Sequence, residues 1–170
     1  MKGGLFILLS ASFFVALMES CANPFAPALD KSNRTGAGVG DLRTIEGFFQ
    51  TFRFAYLTRD TTLYGQLVSD NFQFTFTNTQ NQETWARDVE MRTTNGLFRN
   101  SELLDLQWNS VVFQSGNDDS LQAEVWRTFF LRFGFSATNT QELQGQARLI
   151  LTRNAPTAPW QMSRWDDFSQ

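Results

Sequence analysis

The residue of this chain best placed to do chemistry is an arginine in the middle of an apolar strand. From Leu121 to Phe135 every second residue reads Leu, Ala, Val, Arg, Phe, Leu, Phe, Phe, while the alternate positions are mostly polar. That is the period-2 signature of a strand with one buried face, and Arg127 is the one charge on it. An unpaired buried charge costs several kcal/mol, so the guanidinium must be paired or reach water. It could receive the acidic head group of a ligand. Equally, it could close an internal ion pair with Glu46 or Asp88, or be turned outward by a bulge. A second candidate pairs Tyr56 with Asp88, the carboxylate raised in pKa by apolar surroundings to act as general base. The simpler account puts Tyr56 and Trp85 in the core and pairs Asp88 with Arg92 one helical turn on. Asp118-Asp119 and Asp166-Asp167 are adjacent acids without calcium-loop spacing, so no metal site is expected.

Composition narrows the chemistry further. The 170 residues include no histidine, which removes the commonest general base and metal ligand. Cys21 is the single cysteine, so neither an intrachain disulfide nor a thiolate cluster can form. No cofactor is indicated. Fourteen basic residues are scattered singly in a chain of net charge -3, which gives no cationic stripe for nucleic acid. Eighteen Phe and five Trp supply the apolar mass for one domain.

The first forty residues have a separate character. Lys2 followed by apolar residues from Leu5 to Leu17 predicts a secretory signal peptide over residues 1–20. Leu17-Met18-Glu19-Ser20-Cys21 resembles the lipobox of bacterial lipoproteins. The resemblance implies that Cys21 becomes the mature N-terminus, carries acyl chains and holds the protein in a membrane facing the periplasm or exterior. Ala22, rather than Asp, implies the outer membrane. Ordinary cleavage after Ser20-Cys21-Ala22 is the alternative. Residues 21–40, with Pro24, Pro27 and three glycines, read as a flexible tether to a domain over 41–170.

Within that domain, Asp41 can cap a helix with Ile45, Phe48, Phe49, Phe52, Ala55 and Tyr56 on one face, ending near Thr58-Arg59. Asp60 can cap a second helix with Leu63, Leu67 and Val68 inward. Asp70-Asn71 reads as a turn into an alternating strand, Phe72–Phe76, and Gln82–Asn95 as a third helix with Trp85 and Val89 on one side and Gly96 as its left-handed cap. The rest is strand. One face of the first holds Leu104, Leu106, Trp108, Ser110 and Val112. A turn at Gly116–Asp119 leads into the long strand, then come Leu143–Leu151 and Trp160–Trp165. Short loops predict a four-strand antiparallel meander beside the early strand, with the helices on one face.

The order of elements, with Phe52–Asp60, Leu67–Phe74, Arg148–Leu151 and Trp160–Met162, resembles the nuclear transport factor 2-like superfamily, of the ketosteroid-isomerase type. The resemblance implies an α+β fold in which a curved antiparallel sheet forms a cone around the N-terminal helices. Tyr56, Trp85 and Asp88 would then face its mouth. Its members include isomerases, dehydratases and hydrolases as well as non-catalytic modules. Without histidine or a reactive cysteine, the expectation is a non-catalytic domain binding a small apolar or acidic ligand through Arg127, Tyr56 and Trp85, or a protein partner. The alternative is an isomerase, dehydratase or hydrolase using Tyr56 and Asp88. Trp126, Phe130 and Arg132, on the outer face of the long strand, would suit a homodimer.

Overall fold

The computed structural model describes residues 38–77, 82–136 and 138–169. Cys21, the expected signal peptide and all but the end of the expected tether lie outside the described residues. No helix among the described residues is long and apolar enough to cross a membrane.

Helix α1, Ile45–Thr58, buries Phe48, Phe49, Phe52 and Ala55 almost completely, each Phe contributing roughly 1.5–3 kcal/mol. Its N-cap is Thr44, whose hydroxyl accepts from the Gly47 N–H at 3.0 Å. Asp41, expected in that role, instead clasps Arg43 through both carboxylate oxygens, and that contact holds its pKa at about 2. Arg59 closes the helix in the left-handed region at φ 57°. Asp60 then caps α2, Thr61–Leu67, by accepting from the Leu63 N–H.

Strand β1 is continuous over Val68–Thr77. Asp70-Asn71 makes no turn; the irregularity there is a slip in pairing between Val68 and Gln73, and Val68 belongs to the strand. Gln82–Ala86 is strand β2, not the start of a helix, and α3 runs from Arg87 to Asn100. Trp85 stacks on Phe74, its cross-strand partner, at 4.1 Å between centroids. An aromatic pair of this kind contributes about 0.5–1.5 kcal/mol beyond its burial, so pairing outweighs the weak helical preference of five residues. Gly96 lies inside α3, and Ser101 is the C-cap.

The remaining strands are β3 (Leu103–Ser115), β4 (Gln122–Ser136), β5 (Asn139–Thr152) and β6 (Gln161–Asp167). The six strands form one curved, unclosed sheet in the order β2-β1-β6-β5-β4-β3. The meander β3 to β6 is antiparallel as expected, but β1 joins it parallel to β6. The expected face of β4 turns inward: Ala123, Val125 and Phe129 are buried, Leu131 and Phe133 pack on the core, and only the ends, Leu121 and Phe135, are exposed. On β3 the alternation fails after Trp108. Two register shifts between Trp108 and Phe113 leave Val111, Val112 and Phe113 exposed.

One corner ties helix to sheet. Gly116, at φ +80°, makes the sharp start of the β3–β4 turn, where a side chain would also strike the Gln122 carbonyl. The turn delivers Asp118, which accepts from the Ile45 N–H at the start of α1 at 2.8 Å. Arg153, nearly buried, locks the corner by donating to the carbonyls of Ser120, Arg43 and Asp118 while lying 4.0 Å from the Trp160 ring centroid. At the opposite end the C-terminal segment crosses β5 at Gly145, where a Cβ would sit 2.5 Å from Ser169 Cα. It carries Phe168 onto Trp126, stacked at 5.8 Å.

Candidate functional site

Inside the cone a polar cluster is built by three helices and β2. α3 turns Glu90, Thr94 and Phe98 inward at a spacing of four. Glu90, only 4% exposed, accepts from the Tyr64 hydroxyl at 2.6 Å, the Thr94 hydroxyl at 3.0 Å and the Trp85 indole N–H at 2.8 Å. The Tyr56 hydroxyl joins through Thr94 and Tyr64. Burial first, and then the charge of Glu90, pushes both tyrosines well above the phenolic range, so each keeps its proton. Rings close over the cluster: Tyr56 stacks on Phe52 at 5.2 Å and meets Phe98 edge-on at 5.0 Å. Asp167 on β6 feels the same charge. Burial raises its carboxyl pKa, partly offset by the bond from the Ser169 N–H.

The structure therefore brings Tyr56 and Trp85 into one network and leaves Asp88 outside it. Asp88 is solvated on the outer side of α3, paired with Arg92 at 3.3 Å. A Tyr56–Asp88 constellation does not form, because the strand at 82–86 shifts the phase of the following helix. The acids near Tyr56 are Glu90 and Asp167, which the sequence reading missed together with Tyr64 and Thr94. The one available signal was the i, i+4, i+8 run of Glu90, Thr94 and Phe98.

Arg127 occupies a different place, a groove between α1 and β3. A cavity of about 290 Å³ there is lined by Glu46, Phe49, Arg53, Trp108, Asn109 and Arg127 with two glutamine amides. A neighbouring one of about 170 Å³ shares Glu46, Phe49 and Arg127. Arg127 lies 4.8 Å from the Phe49 ring centroid. Its Nε donates to the Asn109 carbonyl at 3.0 Å and its Nη1 to Glu46 at 2.9 Å. Of the two alternatives, the ion pair with Glu46 forms; Arg127 is not turned outward, and the bulge lies opposite it, on β3 rather than β4. The bulge aims the Asn109 carbonyl at the guanidinium.

On the outer sheet face, Trp126 donates to Glu124, which is bonded to Arg148, itself paired with Asp166. Arg148 is the main cause of the lowered Glu124 pKa. Phe130 and Arg132 are half-buried, in register with Gln144 and Glu142. Among the described residues no group of three or more acids or cysteines could hold a metal ion.

No family model and no curated protein matches the chain. Solved structures do. A conserved protein from Planctomyces limnophilus matches at 13% identity, covering 74% of this chain and 93% of its own, with a TM-score of 0.60. A candidate dehydratase of the nuclear transport factor 2-like family from Streptomyces avermitilis matches at 13% identity over 74% and 94%, TM-score 0.57. A ketosteroid isomerase-like protein from Erwinia carotovora atroseptica matches at 17% identity over 74% and 93%, TM-score 0.53. The chain has the nuclear transport factor 2-like fold, an α+β cone.

Proposed function

We propose that this protein is a lipid-anchored, non-catalytic domain of the bacterial cell envelope that binds a small anionic ligand in the α1–β3 groove. Arg127 carries the reading. Its side chain is only 12% exposed, fixed by Phe49 and the Asn109 carbonyl, and its Nη2 has no hydrogen-bond partner among the described residues. A held guanidinium with a free donor in an aromatic-walled groove suits a carboxylate on a flat apolar body. The non-catalytic part is supported by the cone: Tyr56, Tyr64 and Glu90 satisfy one another beneath packed rings, so a substrate would first have to break that network.

Isothermal titration of the mature protein with 2-naphthoate tests the groove. Saturable one-to-one binding, lost in Arg127→Met and weakened in Arg127→Lys, is expected. Binding that ignores both variants would overturn the site. The anchor rests on the Leu17–Cys21 pattern and is tested by the mass of the mature N-terminus. Acyl chains on Cys21 are expected, whereas a free terminus at Asn23 would remove the anchor. We also propose that a second copy packs against Phe130 and Arg132, the part of the expected interface left open where Phe168 stacks on Trp126. Light scattering should give twice the monomer mass, and a strict monomer would refute that interface.

A further inference from the structure

We infer that Glu46 is a built-in competitor for the anion site, occupying Arg127 when no ligand is present and displaced when one arrives. This rests on the groove-binding reading above. The two members of the ion pair are held very unequally. Apart from Glu46 itself, two contacts, the Phe49 ring and the Asn109 carbonyl, fix Arg127, which is 12% exposed. The Glu46 side chain, by contrast, is 60% exposed, and among the described residues its one bond to a side chain is to Arg127. Glu46 lies in the first turn of α1, so its carboxylate can swing into water and still face the positive end of the helix dipole. A carboxylate as exposed as this one regains its hydration on leaving the pair and so loses little. The pair also stands between the 290 and 170 Å³ cavities, both of which Glu46 and Arg127 line. Opening it joins them along the Phe49 ring and frees a second nitrogen of the guanidinium for two-point recognition of a carboxylate. A neutral ligand gains nothing from the exchange, so Glu46 sets a threshold that only an anion crosses.

Titration of the mature protein and its Glu46→Gln variant with 2-naphthoate and the uncharged 2-naphthamide tests this. Glu46→Gln should tighten 2-naphthoate about two- to fivefold, leave 2-naphthamide unchanged, and lose the gain when Arg127→Met is added. Glu46→Asp keeps the charge but shortens the reach by a methylene, and should tighten binding too. If Glu46→Asp binds like the wild type, the effect is a general field and the competitor role is overturned. If the wild type binds 2-naphthoate through Arg127 but Glu46→Gln binds no better, the competitor role fails and the groove-binding reading stands. Failure of both wild type and Glu46→Gln to bind at all would refute both.

Discussion

Replacing Tyr64 by Phe removes one buried oxygen from the cone and almost nothing else. The ring keeps its edge contacts with Phe52 at 5.3 Å, Tyr56 at 5.7 Å and Phe98 at 6.2 Å, so no cavity opens beyond the hydroxyl itself. What goes is the 2.6 Å bond to Glu90, together with the link to the Tyr56 hydroxyl, which keeps its bond to Thr94. A hydrogen bond to a charged group contributes about 1.5–3 kcal/mol. Thr94 and Trp85 still donate to the carboxylate, which keeps the expected loss near the middle of that range, about 2 kcal/mol. For a domain of this size that corresponds to roughly 5–10 °C in Tm. Urea denaturation of Tyr64→Phe, Glu90→Gln and the double variant forms a cycle with an expected coupling of about 1–2 kcal/mol. A Tyr64→Phe loss below about 0.5 kcal/mol, with no coupling, would show that the bond does not support the cone. The account of a self-satisfied interior would then fall.

Arg153→Met should cost about 3 kcal/mol, because three carbonyl bonds and the contact with Trp160 go together, and Arg153→Lys should recover less than half in urea melts, since one ammonium cannot reproduce the fork. Burial raises the Asp167 pKa above its ordinary 3.8, so the folded chain holds that proton more tightly than the unfolded chain does. Its contribution to stability is complete below about 3.8 and is lost as pH rises through the raised value. Asp167→Asn should therefore be more stable than wild type at pH 7, with the difference vanishing toward pH 3, as read by urea midpoints. Gly145→Ala should lift the C-terminal segment off β5, unstack Phe168 from Trp126 and hasten carboxypeptidase trimming; unchanged trimming would refute the close crossing.

The long elements were legible because their patterns repeat. The apolar faces of α1 and β4 each span several turns or pleats, and the burial of Phe48, Phe52, Val125 and Phe129 follows from periodicity alone. The failures are short and depend on neighbours distant in sequence. Nothing within Gln82–Ala86 reports that β1 offers it an open edge and a Phe74 ring, so the five residues read as helix and the inward face of α3 was misphased. The bulges of β3 were invisible for the same reason: Val111 and Phe113 fit the local alternation poorly but not impossibly, and the two register shifts that flank the Val111–Arg127 pair belong to the pairing with β4, not to β3 alone. Arg127 itself was conspicuous because charge on a greasy face is rare. Glu90 was not, since an acid in a polar helix looks ordinary until its three donors are assembled around it.

The first amide of α1 takes its acceptor from Asp118, 73 residues away, so the helix borrows its beginning from a hairpin that is synthesised later. A peptide spanning 41–60 should accordingly be little more than a frayed coil in water. The nascent chain must keep its Phe-rich stripe covered by other means until the meander has emerged. Closure of so distant a contact also predicts slow, sheet-limited folding rather than a helix-first collapse.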